Sequence, residues 1–350
     1  MSLSNCKIVK DNCPHEEYAK QPDGVKRGNP LYVMSRSELV EFFLNPKRWL
    51  DGFGLPDEET GEEESTPALD WGSLIDALIS GVDEFEARFA VAPATYTNKK
   101  GEQSKWTRQS KDCAAWEDER KAEGKVIIKA PMMAEAELAV AAIKADTELS
   151  DLLKASRKQV LITGTWTDKD TKIKIPLRAL PDIIPPKDHP VYGKNLFDFK
   201  TARNGNPAKW DRVIDDSAYD VQAALHFDLY VAASKEDRTD FGHIVQENIK
   251  PFHIVKPFPS MTTEFMAWGR LKYQAALKLY ARCLATGNWP SYALAGMPFP
   301  PAAEHPALQL IDPKGLWTYR NFAGQGSLDR STYQPEPEPE KLDEKGDIAP

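Results

Sequence analysis

The sequence predicts an α/β protein, a mixed sheet with helices on both faces and a helical region ahead of it. Three observations carry that reading. Apolar residues alternate with period two after Arg157, first in Val160 and Ile162 and, past a polar turn, in Ile173, Ile175, Leu177 and Ala179, the pattern of a hairpin. A third strand, Leu196 to Thr201, leads into a helical stretch from about Ser217 to Ala233, and two more strand-like runs follow, Phe241 to Val245 and Phe252 to Val255. A long helix from about Thr263 to Thr286 then stops at Gly287, a favourable residue just past a helix end, and Trp289-Pro290 cannot continue it.

Residues 1–30 mix charges, proline and glycine without a period and read as an N-terminal arm, with order expected from Leu31. Ser35 and Glu38 have capping-box spacing ahead of the apolar stripe Leu39, Val40, Phe42 and Phe43, which Asn45-Pro46 stops. Thr66-Pro67 starts a second helix whose buried face is Leu74, Ile75, Leu78 and Ile79. An alanine-rich helical segment from about Met132 to Ala155 is interrupted at Asp146-Thr147, where a new N-cap fits. One domain is expected over 31–317. Residues 318–350, with their alternating Pro-Glu run, read as an acidic disordered tail that has too little apolar area to fold.

The chain has 350 residues, 41% of them apolar and 28% charged, which suits a folded, water-soluble protein. No apolar run approaches the roughly 18 residues of a membrane span, and the first residues lack the apolar core of a secretory signal, so a cytoplasmic location is expected. The four cysteines are too scattered for a disulfide framework and form no CxxC pair. A net charge of -8 argues against a general nucleic-acid coat protein but leaves room for a local basic groove. The most basic stretch holds Lys99, Lys100, Lys105, Arg108 and Lys111 around Trp106; it could track a DNA backbone while the indole stacks on a frayed base, or it could be a solvated loop.

Along Leu196 to Thr201 the strand period puts Asp198 and Lys200 on one face and Phe197 and Phe199 on the other. A carboxylate that can hold a hard divalent cation then projects beside an ammonium that can offset developing negative charge. An isolated Asp-x-Lys is also what a surface ion pair on an edge strand looks like. Asp182, after Pro181 and sixteen positions before Asp198, can return beside it through a loop. Two carboxylates and a lysine suit Mg²⁺, or Mn²⁺ in its place, both of which keep several waters.

Pro181-Asp182 followed by Asp198-Phe199-Lys200-Thr201 resembles the PD-(D/E)XK nuclease signature. The flanks are similar to its RecE-type branch, the exodeoxyribonuclease VIII relatives of phages and prophages: Ser35 to Leu39, Gly72 to Leu78, Asp83 to Phe85 with Arg88-Phe89, and Tyr219 to Ala224. The resemblance implies a restriction-endonuclease-like core with Asp182 and Asp198 as metal ligands. Lys200 would position the attacking water or steady the phosphorane, and Gln222 would orient lysine and nucleophile. Tyr219, His226 and Tyr230 share the helix stripe of Gln222 and can face the same site.

Asp76 stands where the branch usually has histidine and remains a candidate metal ligand; a solvated helix position is its other reading. His226 stands where tyrosine is common, and the strand from Gln159 to Trp166 carries no acid where related enzymes often have one. The resemblance implies a Mg²⁺-dependent exonuclease that degrades double-stranded DNA from its ends, 5′ to 3′, as a ring-shaped homo-oligomer, with a single-strand annealing recombinase as partner, in a bacterial host cell if phage or prophage encoded. A catalytically impaired DNA-binding or scaffold protein on the same fold, or a structure-specific endonuclease, are the alternatives.

Overall fold

The computed structural model describes residues 3–52 and 67–291. The segment expected to be an arm opens instead with a strand, β1 (Leu3–Lys10), so order begins well before Leu31. Leu3, Cys6 and Ile8 pack against the core, and Gly164 makes room for them, since a Cβ there would lie 2.9 Å from Cys6 Sγ. Register shifts between Ser4 and Lys7 and between Ile8 and Lys10, with Asn5 at φ 51°, break the alternation that would have revealed this strand in the sequence.

A short helix α1 (His15–Ala19) precedes α2 (Arg36–Leu44), where Ser35 accepts a hydrogen bond from the Glu38 N–H at 3.4 Å, as the capping box predicts. Asn45 ends α2 and caps α3 (Pro46–Leu50) by accepting from the Arg48 N–H. Next come α4 (Pro67–Ser80) and α5 (Val82–Arg88); the predicted Thr66 cap lies outside the described residues, as does the acidic tail. The chain continues as β2 (Phe89–Ala92), the hairpin β3 (Thr95–Thr97) and β4 (Gln103–Lys105), and α6 (Lys111–Ala122). Then β5 (Val126–Lys129), parallel to β2, leads into α7 (Ala130–Ala145) and α8 (Thr147–Ala155). Asp146 separates these two helices and caps the second through the Leu149 N–H at 2.9 Å.

The second half builds the sheets from β6 (Arg157–Lys158), β7 (Leu161–Thr167), β8 (Lys174–Ala179), β9 (Ile183–Ile184) and β10 (Asn195–Ala202). It continues with α9 (Pro207–Asp216), α10 (Tyr219–Ser234), β11 (Asp240–Glu247) and α11 (Thr263–Thr286). One antiparallel sheet has the order β1-β7-β8; a mixed sheet has the order β11-β10-β9-β6, with β10 and β11 parallel. The predicted hairpin is thus bent into two pieces, β7 with β8 and β6 with β9. Backbone bonds from Gln159 N to Asp182 O (3.0 Å) and Val160 N to Pro181 O (3.2 Å) carry the ladder across the break. Gln159 sits at φ 46° there. Phe252 to Val255 does not form a strand: Pro251 and Pro257 flank it, Phe252 has φ 61°, and pairing is limited to the Gln246–Ile254 bridge.

Two apolar cores cover the faces of the mixed sheet. Phe197, Phe199 and Ile244 pack with Leu74, Ile75, Ala139 and Leu149 from α4, α7 and α8. Leu196, Phe241 and Val245 pack with α10 and α11 on the other side. Both aromatic residues of the motif are therefore core, as the strand period requires, and the polar pair points to the opposite face.

Candidate active site

The break between the two sheets is where the candidate residues meet. Because β9 is two residues long, its pairing with β10 ends at Phe197–Ile183, and the Phe199 N–H lies beyond the ladder. The Asp182 carboxylate takes it, with Oδ2 accepting at 2.8 Å. Asp198, in the middle of β10, is 0% exposed and forms an ion pair with Lys200, whose side chain is 15% exposed. Lys200 Nζ also lies 4.7 Å from the centre of the Tyr219 ring, at the start of α10. Asp76 reaches the same place from α4, where Gly72 comes so near β10 that a Cβ would be 3.3 Å from Thr201 Oγ1. Gln159 Nε2 links the acids, donating to Asp76 Oδ1 at 3.0 Å and, more weakly, to Asp182 Oδ1 at 3.4 Å.

Proton affinities follow from this crowding. Burial pushes Asp182 well above the usual carboxylate range, and the charges of Asp198 and Asp76 push it further. Asp76 is raised to about 6, by burial and by Asp198 and Glu84, against the pull of Arg88. Burial would raise Asp198 too, but the Lys200 ammonium beside it, with a smaller pull from His226, brings it down to about 2. Lys200 loses affinity to burial and more than regains it from Asp198, Tyr219 and Asp182. At neutral pH the site therefore holds an ionised Asp198 and a charged Lys200 beside two carboxyl groups, Asp76 and Asp182, whose proton affinity is raised.

Two histidines border the acids. His226, on α10, and His243, paired with Asp198 across β10 and β11, are held neutral by burial, at about 4 and about 3 respectively. His243 is wedged against Trp210, Tyr219 and Phe241. Arg36, at the start of α2, donates to the Ser217 carbonyl and lies over the Tyr219 ring, where burial lowers its proton affinity.

The structure thus brings together Asp76, Asp182, Asp198, Lys200, Tyr219 and His226. Gln222 is half-buried one turn along α10, and among the described residues its amide makes no hydrogen bond to the acids or to Lys200. Tyr230 does not join them: its hydroxyl donates to Glu236, and eleven residues of helix span roughly 16 Å. Lys99 and Lys100 stand exposed in the β3–β4 turn and Lys105 at its end. Trp106 is half-buried there, donates Nε1 to Glu117 at 2.9 Å and lies edge-on to Tyr96 and Trp116, while Arg108 pairs with Asp118.

Gln159, His243 and Arg36 escaped the sequence reading. His243 had a signal, since it alternates with Phe241 and Val245 on a strand beside the motif; the tie between Gln159 and two acids needs the bend and had none. The donor set suits a hard divalent cation, because both oxygens of Asp198 are buried and, among the described residues, the Lys200 ammonium pairs with Oδ2 while Oδ1 has no donor. Among the described residues, however, no three His, Cys, Asp or Glu side chains come close enough to form a ready-made metal cage. The fit is to a pair of carboxylates, Asp182 and Asp198, with water completing the shell.

Residues 55–296 match the family model described as "PDDEXK-like domain of unknown function (DUF3799)". No curated protein matches. Among solved structures, the chain is similar to a crystal structure described as "Putative exonuclease" from Eubacterium rectale, at 16% identity and a TM-score of 0.43, covering 74% of this chain and 84% of that one.

Proposed function

The chain belongs to this family of PDDEXK-like domains, whose fold is associated with nuclease activity, and on that premise we propose that it is a Mg²⁺-dependent deoxyribonuclease acting at ends of double-stranded DNA. The observation that carries the reading is the buried Asp198–Lys200 pair on β10, with Asp182 fastened to the next backbone N–H of the same strand. That arrangement fixes two carboxylates and an ammonium along one rigid strand, two of the three on β10 itself and Asp182 tied to it. Asp182 and Asp198 would hold Mg²⁺, or Mn²⁺ in its place, with Asp76 as a further ligand. When bound, the ion would supply positive charge to the phosphate and acidify water. Lys200, kept protonated by Asp198 and stacked on Tyr219, can offset the negative charge that develops at phosphorus. Neutral His226 faces Asp198 without competing for its charge. Tyr219 and the exposed Lys99, Lys100 and Lys105, with Trp106 and Arg108, are the proposed DNA contacts.

Exonuclease action, 5′ to 3′ polarity, a ring-shaped homo-oligomer and a single-strand annealing partner extend this reading through the RecE-type resemblance of the flanking segments. Digestion of a linear duplex labelled separately at each 5′ and 3′ end, with Mg²⁺ or EDTA and beside a covalently closed circle, tests it. Loss of 5′ label before 3′ label from linear DNA, with the circle intact, is expected. Cutting of the circle would point to an endonuclease. A folded protein that binds ends without cleaving them, even with Mn²⁺, would favour a binding protein, a reading supported by the Gln159 amide on two of the three acids.

A further inference from the structure

An amide between two carboxylates is an unusual guest in a site meant for a cation. The NH₂ edge of Gln159, and not its carbonyl, faces both neighbours, donating to one oxygen of each carboxyl group. The backbone leaves it little choice of place. Gln159 N donates to Asp182 O, its carbonyl accepts from Cys13 N at 2.9 Å, and its φ of 46° sets the bend between β6 and β7. The side chain is therefore delivered to the acids by a pinned residue, while its own torsions remain free to turn.

The two contacts differ in strength. Asp182 Oδ2 is committed to the Phe199 N–H at 2.8 Å, whereas Asp182 Oδ1 is held by Gln159 at only 3.4 Å. Oδ1 is thus the oxygen that can be released to another partner. A partial positive charge on the amide hydrogens occupies the position where a full positive charge would be most stabilised, so the two oppose each other.

We infer that Gln159 is a displaceable counter-group of the carboxylate site: it holds Asp76 and Asp182 together in the metal-free protein, and a divalent cation competes with it for the same oxygens. This inference rests on the metal-dependent reading above. It makes Gln159 a positioning residue that restrains cation affinity while keeping the acids from splaying apart.

Gln159→Leu removes the amide at nearly constant size, and Gln159→Glu replaces the donor by another oxygen ligand. Mn²⁺ affinity by titration calorimetry, and melting temperature in EDTA and in saturating Mn²⁺, are the readouts. Gln159→Leu should bind Mn²⁺ about tenfold more tightly, the equivalent of one hydrogen bond to a charged group, and Gln159→Glu more tightly still. Both variants should melt below the unaltered protein in EDTA, and the gap should close in Mn²⁺. Unchanged or weaker Mn²⁺ binding by Gln159→Leu, or a melting deficit that persists in Mn²⁺, would overturn the inference, provided the unaltered protein binds Mn²⁺ and Asp198→Asn does not. If the unaltered protein itself binds no Mn²⁺, the metal-dependent reading fails and takes this inference with it. Gln159→Glu guards against a leucine variant that does not fold.

Discussion

Asp198–Lys200 and Asp220–Lys272 are the same two side chains, and both pairs are buried, at 0% and 15% exposure in one and 0% and 1% in the other. Their connections differ. Asp198 and Lys200 are two residues apart on β10, so their attraction ties no part of the fold to another. Asp220 and Lys272 sit on α10 and α11, 2.6 Å apart, where Gly269 lets the helices come so near that any Cβ would collide with the Asp220 carbonyl. The first pair also has Asp182 and Asp76 for neighbours; the second is more fully buried, and the Asp220 charge is felt by Arg36. Breaking a buried ion pair between two helices costs the fold dearly, because the remaining charge is left buried without its partner, whereas a pair within a single strand, facing further charges, leaves its electrostatic energy available to a ligand.

The largest expected effect breaks the first pair. Asp198→Asn should lower DNA cleavage at least about 1000-fold, or about 4 kcal/mol of barrier, while the melting temperature moves by only a few degrees. Lys272→Met should do the reverse. It leaves the Asp220 charge buried without its lysine, so urea unfolding should show about 3–5 kcal/mol lost, with cleavage per folded molecule nearly unchanged. Adding Asp220→Asn to Lys272→Met should restore most of that loss. If Asp198→Asn unfolds the protein or Lys272→Met abolishes cleavage alone, the two pairs have been assigned the wrong way round.

Much of this contrast was legible in the sequence on one side only. The period of β10 placed Phe197 and Phe199 in a core and Asp198 and Lys200 together, because strand geometry is local and strict. The caps at Ser35 and Asp146 were equally local. The Asp220–Lys272 pair was invisible, since it depends on how two helices cross, and α10 is buried on nearly every side and shows no polar stripe to mark the contact. β1 was lost to its bulges. Gln159 was lost for a third reason: a bend that splits one hairpin between two sheets leaves no periodic trace.

A smaller effect probes the repulsion that sets the first pair apart. Asp76 in the folded metal-free protein has its proton affinity raised to about 6 from the ordinary 3.8, so the folded state holds that proton more tightly than the unfolded chain does. Its contribution to stability is then fully present below about pH 4, is lost as pH rises through about 6, and is flat above. The melting temperature in EDTA should therefore rise as pH falls from 7 toward 5. Asp76→Asn should flatten that rise and should melt higher than the unaltered protein at pH 7. A variant that melts lower at pH 7, with the same pH profile, would show that Asp76 is held by Arg88 and Gln159 without strain.

The weakest effect lies away from both pairs, at the β3–β4 hairpin, and asks whether exposed charge contributes to the first pair's function. Asn98 ties the turn by accepting from Lys100 N–H and Glu102 N–H, so Lys99, Lys100 and Lys105 stand on a defined scaffold and, among the described residues, lack the carboxylate partners that occupy Arg108 and Trp106. Each lysine that meets a phosphate releases about one counterion. Changing all three to alanine should reduce the slope of log affinity for duplex DNA against log salt by about 2 to 3, with the rate of cleavage of bound DNA unchanged. An unaltered slope would reduce the hairpin to a solvated surface. A loss of cleavage at saturating DNA would tie it to the acids directly, and charge remote from Asp198–Lys200 would then be doing more than gathering substrate.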